Sequence, residues 1–406
     1  MKKMIKRFSA VLLLFFVMLF VASCSNNKKT VTLETVKIGL ITLHDETSTY
    51  DKNFIDSLKS AAKDLGLKES QYEIVSNVGE NNDCYEAAAR LAKDCDIVFA
   101  DSFGHETYMI QAAREFKNVY FAHATGTMAH TVKLNNYANA FASIYEGRYL
   151  AGVAAGMKLN EMIQAGTITE AEAKMGYVGA FPYAEVKSGY TSFYLGAKSV
   201  CPSVTMEVKF TNSWYDLERE ETVANYLIKT RKCVLISQHA DSMGAPNACE
   251  KAGVPNVTYN GSTNAACPNT YIVSSKIDWA PYFKYLINQR VKGEKLSYDW
   301  VGTLSNGAVK LDAVGRNAAN GTQDKIDEVK AKLEAGTLHV FDTNNFTVDS
   351  KKVTSYLADV DSDEKYTGDT EVIKDGYFHE SEFRSAPYFD LSIDGITNLG
   401  SDYKDK

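Results

Sequence analysis

The chain of 406 residues has little proline (7 residues) and only 7 histidines. It has no basic excess. Its 44 Lys and Arg face 51 Asp and Glu, for a net charge of −7, so the basic face that nucleic-acid binding needs is missing. None of its 7 cysteines sits in a C-x-x-C pair, which argues against a zinc site. Catalytic signatures are absent as well. There is no Walker A Gly-Lys-Ser/Thr run and no G-x-S-x-G elbow before a helix. His105-Glu106-Thr107-Tyr108-Met109 lacks the second histidine of a zinc helix. His239, Asp241 and Ser242 are neighbours on one loop, where side chains diverge and cannot relay a proton. Gly147–Gly156 lacks the turn that opens a dinucleotide site. The expectation is a protein without enzymatic activity, metal or cofactor.

The apolar run at the start, Ala10–Ala22, is too short for a membrane span. Lys2, Lys3, Lys6 and Arg7 precede it, and Val21-Ala22-Ser23-Cys24 closes it like a bacterial lipobox. The expectation is a lipoprotein signal over 1–24, lipidation of Cys24, a polar tether over 25–35, and a body held at the outer face of the cytoplasmic membrane. The exported location permits disulfides among the other six cysteines, with no pairing legible; several sit on apolar helix or strand positions and read as buried free thiols.

From Val36 onward, one pattern repeats: a short apolar strand, a polar or aromatic cluster, then a helix. It runs through Val36–Leu43, Tyr72–Val75, Ile97–Ala100 and Val119–Ala122. It restarts at Met175–Val178 and continues through Met206–Phe210, Val234–Ile236, Val257–Tyr259 and Tyr271–Ser274. Alternating strands and helices imply parallel sheets covered on both faces. Two copies of the pattern imply two α/β lobes with several crossings between them. Lobe 1 is expected over 36–136 with part of 262–303 returning to it, and lobe 2 over 137–261 with part of 304–343. The small-residue stripe Gly152 and Gly156 reads as close packing on a sheet or at the junction. The segment 344–406 is an acidic extension. From Asp349 on, it has 14 acidic and 7 basic residues, but Tyr377-Phe378 and Ala386-Pro387-Tyr388-Phe389 argue that it is ordered.

In open parallel sheets, ligands bind in the crevice beyond the strand ends. Tyr50, Phe103, Trp214 and Trp279 lie at or just past such ends, where flat rings can sandwich a planar ligand. Asp51, Asp241, Asn260 and Lys276 can read its polar edges. Trp214, His239, Asp241 and Asn260 are expected side by side. For each residue alone, capping or packing is the ordinary role; their convergence on one edge favours binding.

Six runs carry a resemblance: Ser48-Thr49-Tyr50-Asp51-Lys52-Asn53-Phe54, Arg148–Gly156, Asn212-Ser213-Trp214-Tyr215-Asp216, Ser237-Gln238-His239-Ala240-Asp241-Ser242, Tyr259-Asn260-Gly261-Ser262 and Asp278-Trp279-Ala280-Pro281-Tyr282-Phe283. Together, over about Val36–Thr343, the chain resembles the basic membrane protein (Med-like) family of ABC-transporter substrate-binding lipoproteins, which includes purine nucleoside receptors. The resemblance implies a type I periplasmic-binding fold, a purine nucleoside or base held between two lobes, and permease and ATPase partners. Tyr50 and Trp214 look like the stacking rings, and Lys276 like the family's binding lysine. Asn260 or Ser262 stands where the family carries an acidic ribose ligand, and His123 where nucleoside binders carry Asp. These departures leave a free base open. Another small solute such as a sugar or signal molecule, or a sensing lipoprotein or adhesin not coupled to transport, are the alternatives.

Overall fold

The computed structural model describes residues 30–360, 365 and 367–401. The expected signal segment, Cys24 and residues 25–29 of the tether lie outside these residues. Twelve strands build the two lobes. In chain order they are β1 (Ile38–Ile41), β2 (Tyr72–Val75), β3 (Ile97–Ala100), β4 (Tyr120–Ala124), β5 (Tyr137–Ala142), β6 (Lys174–Gly179), β7 (Thr205–Phe210), β8 (Leu235–His239), β9 (Asn256–Tyr259), β10 (Tyr271–Ile277), β11 (Asp299–Gly302) and β12 (Val309–Leu311). The first sheet has the order β11-β5-β4-β3-β1-β2 and is parallel throughout. The second has the order β12-β10-β9-β8-β6-β7, extended by the strand Ile396–Asn398; only β12 runs antiparallel. Strands such as Ile38-Gly39-Leu40-Ile41 are buried at every position, as helices on both faces require.

The chain passes between the lobes three times: into the helix Ile144–Gln164, between β10 and the helix Ala280–Lys292, and between β11 and β12. The expected boundary at 136/137 is therefore misplaced. Tyr137–Ala142 pairs with β4 inside the first sheet, and the chain leaves lobe 1 only at Ser143.

Local chemistry sets the helices that matter for the site. In Thr49–Leu65, the Ser48 side chain caps the start by accepting from the Asp51 N–H, and Gly66 ends it in the left-handed region. Its buried Phe54 stacks on Trp279 at 4.4 Å, and Phe99 packs against both rings. The Gly152–Gly156 stripe packs on a helix, not a sheet. A Cβ at Gly152 would lie 2.0 Å from the Phe193 carbonyl, and one at Gly156 2.5 Å from that of Ala197. The two glycines let Ile144–Gln164 approach Ala184–Lys198 backbone to backbone.

On the same helix, Arg148 is fully buried. It donates to the Thr258 carbonyl and to Ser275, Tyr177 and Ser237, clipping the four adjacent strands β10, β9, β8 and β6. All six described cysteines are free and buried. No helix among the described residues is long and apolar enough to cross a membrane. The described part of the acidic extension packs around an aromatic cluster in which Phe389 stacks on Phe341 at 4.2 Å and Phe378 lies 4.8 Å away.

Candidate functional site

Between the lobes lies a narrow cavity, whose empty space is about 390 Å³ when the solvent open to it is included. Lobe 1 contributes Leu43, His44, Tyr50, Asp51, Ser102, Phe103 and Thr125; lobe 2 contributes Glu185, Trp214, His239, Asp241, Tyr259 and Asn260. Nearly all of these follow the carboxyl end of a strand, which is where the parallel sheets gather them. Thr125 and Asn260 hold φ of 66° and 64°, and Asn212, two residues before Trp214, holds 53°. Asparagine tolerates this left-handed region, but a β-branched threonine is strained there; such outliers gather at functional sites.

The lobes meet across the cavity. The backbone N–H and the hydroxyl of Thr49 both donate to the Asp241 carbonyl, at 3.0 and 3.2 Å. Asn53 Nδ2 reaches Asn260 Oδ1 at 3.5 Å. At the mouth Phe103 and Tyr183, each about two-fifths exposed, approach to 5.6 Å. Trp214 leans edge-on against Phe181 at 5.1 Å. These contacts join the two lobes over the cavity.

Three carboxyl groups, Asp51, Glu185 and Asp241, belong to the polar lining. Burial would raise the Asp51 pKa, but hydrogen bonds from His44 and Ser48 outweigh it and leave it lowered. Asp241 is pushed well up, first by burial and then by the charges of Asp51 and Glu220; its Oδ1 accepts from Asn260 at 3.3 Å. Just beneath the lining, Asp101 is also raised well above the usual range, by burial and then by Asp51. Its Oδ1 accepts from the Leu43 N–H, while its Oδ2 is buried without a partner. Tyr50 donates to the Asp101 carbonyl at 2.8 Å. His239 faces Glu185 at 3.5 Å, and burial lowers its pKa against the pull of that carboxylate. The cavity offers aromatic faces and many acceptors, so it suits a planar or ring-bearing ligand rich in hydrogen-bond donors.

Of the residues expected at the site, Tyr50, Asp51, Phe103, Trp214, Asp241 and Asn260 line this one cavity. Four do not. His123 lies inside β4, which runs one turn of the pleat further than expected; its ring is fully buried and meets the Ser102 carbonyl at 2.6 Å, behind the wall. Ser262 sits exposed past the turn and accepts from the Asn264 N–H. Lys276 is still within β10, which extends to Ile277, and is paired to Asp312 at 2.5 Å. Trp279 has crossed back into the lobe 1 core against Phe54. Glu185 and Tyr259 were not expected, although Glu185 follows β6 by the same strand-end rule that found Trp214.

The profile of the Bmp family, described as ABC transporter substrate-binding protein PnrA-like, matches residues 38–340. The chain belongs to this family. Membership makes it an extracytoplasmic substrate-binding protein that serves an ABC permease and ATPase with a small-molecule ligand. A purine-binding protein of Brucella abortus is 29% identical over 316 residues, covering 76% of this chain and 83% of that protein. A putative ABC transporter glucose-binding protein of Haloferax volcanii is 30% identical over 257 residues; the match spans 63% of this chain but only 62% of that relative's own length. A solute-binding protein of an ABC transporter system from Conexibacter woesei superposes with a TM-score of 0.60 at 20% identity, covering 75% of this chain and 98% of that one. One from Aeropyrum pernix gives 0.63 at 14% identity, covering 75% and 93%. These likenesses bear out the two-lobed type I periplasmic-binding fold. The Bmp match ends at residue 340, so the C-terminal extension lies beyond it.

Proposed function

We propose that this Bmp-family protein binds a purine base or nucleoside in the interlobe cavity and delivers it to its permease, without catalysing a reaction. The observation that carries the reading is the pairing of rings from opposite lobes, Tyr50 and Trp214, with the acceptors Asp51, Asp241 and Asn260 in one cavity. Purines present flat faces and several N–H groups. Stacking on an aromatic side chain contributes about 1–3 kcal/mol per base, and carboxylates accept the donors. The 29% identity to a purine-binding protein supports it. Lipidation of Cys24 would hold the protein at the membrane surface.

A second reading is glucose or another sugar. It is favoured by the glucose-binding relative and by the number of carboxyl acceptors, which serve sugar hydroxyls equally well. Thermal-shift titration with adenine, hypoxanthine, adenosine, guanosine and glucose separates the two, because the true ligand raises the melting temperature by mass action. A rise with a purine and none with glucose supports the first reading; the reverse supports the second.

A further inference from the structure

The C-terminal extension is built on lobe 2. Its strand Ile396–Asn398 pairs in parallel with β7, and the flanking Gly395 and Gly400 carbonyls accept from Met206 and Phe210 N–H groups. Asp390 pairs with Lys187 at 2.5 Å, and the Tyr145 hydroxyl donates to the Glu380 carbonyl. Between these anchors the extension crosses to lobe 1. There Ser385, fully buried, donates both its N–H and its hydroxyl to Asp299 Oδ1, at 2.8 and 2.6 Å. The other oxygen of that carboxylate faces His130 Nδ1 at 2.8 Å, which fixes its orientation.

Arg384 holds the turn that presents Ser385. It donates to the carbonyls of Asp359, Ala386 and Pro387. Alongside, Arg384, Ala386, Pro387 and Asp390 line a groove together with Phe103, Thr125 and Glu185, three residues that also line the interlobe cavity. Asp299 opens β11, whose end at Gly302 begins the last interlobe crossing. Three residues of strand put the contact roughly 10 Å from that crossing, far enough for a rotation about the hinge to pull it apart.

We infer that Ser385 and Asp299 form an interlobe latch, through which the extension holds the clamp closed and sets how readily ligand enters and leaves. Two hydrogen bonds to one partly buried carboxylate are charge-assisted and stronger than neutral ones. A rotation that separates the lobes would break them, so they weight the closed state in the open–closed equilibrium. Ser385 and Asp299 are positioning residues in this scheme and need not touch the ligand. The inference deepens the reading of the cavity as a ligand clamp and shares its premise that the lobes open and close.

The test measures interlobe distance in the full chain without ligand. Spin labels go on Lys63→Cys in lobe 1 and Lys229→Cys in lobe 2, both exposed helical positions, while the six described native cysteines are buried. Asp299→Ala removes the acceptor, Ser385→Ala removes the hydroxyl alone, and Ser385→Thr restores it. The latch predicts that Asp299→Ala lowers the closed-to-open ratio roughly tenfold, Ser385→Ala moves it less in the same direction, and Ser385→Thr returns it toward the parent. An unchanged distance distribution in a variant with an intact melting transition overturns the latch. If Asp299→Ala does not fold, the Ser385→Ala distribution decides by the same criterion. Adenosine titration of the same samples keeps the two proposals apart: failure to bind refutes the purine reading while the ligand-free distances still judge the latch.

Discussion

Replacing Trp214 with alanine should weaken purine binding without harming the fold. The indole lines the cavity and is only partly buried. Its ring neighbours Phe181 and Tyr183 pack on one another at 5.1 Å without it. The scaffold contact of this residue is its backbone: the Trp214 carbonyl accepts from the Asp241 N–H at 2.9 Å, and alanine keeps that bond. The perturbation therefore removes one stacking face and little else. A stacked base loses about 1–3 kcal/mol, which at about 1.36 kcal/mol per tenfold is roughly a 5- to 150-fold rise in Kd. Isothermal titration of adenosine into parent and Trp214→Ala measures it, with the melting temperature as the check on folding. A Kd unchanged within twofold in a folded variant would refute the stacking argument.

Other expectations follow from the same geometry. Lys276→Ala should leave adenosine affinity within about twofold, since Lys276 is paired to Asp312 and does not line the cavity; a tenfold loss would restore it to the site. Gly152→Ala puts a methyl 2.0 Å from the Phe193 carbonyl and should destabilise the protein by about 1–3 kcal/mol as overpacking, seen as a lower denaturation midpoint. Adenosine binding should release protons and weaken as pH falls, because Asp241 is raised toward its neutral form while ligand donors favour the ionised one; proton uptake, read by calorimetry in two buffers, would contradict it. Ligand-free stability should fall as pH rises from 6.5 to 8.5. Burial raises Glu146 and Glu220 to about 7 and Glu380 to about 8. A carboxyl raised in the native state binds more protons than in the unfolded state, so deprotonation costs stability. Glu220→Gln should flatten that slope.

The strand-end rule made much of the site legible, because the parallel sheet does the gathering. Tyr50, Phe103, Trp214 and Asn260 each follow a strand, and the sheet edges bring them together whatever their separation in sequence. The failures have the same origin. Where a strand runs on, as β4 does to Ala124 and β10 to Ile277, the residue thought to be at its end stays inside the sheet, which buries His123 and turns Lys276 toward Asp312. Strand pattern fixes an element more firmly than it fixes the last residue of that element. The crossings between lobes were harder to read. Tyr137–Ala142 looks like any other buried strand, and only pairing with β4 assigns it to lobe 1. The hold of Ser385 on Asp299 spans 86 positions and left no local trace in the sequence.

Crystals grown with adenosine give the most direct test of a purine held between the lobes. The expected result is a base in the cavity, flanked by the Tyr50 and Trp214 rings, with its N–H or hydroxyl donors on Asp51, Asp241 or Asn260. An interlobe cavity without the nucleoside at saturating concentration, or one occupied in the same way by glucose alone, would contradict it.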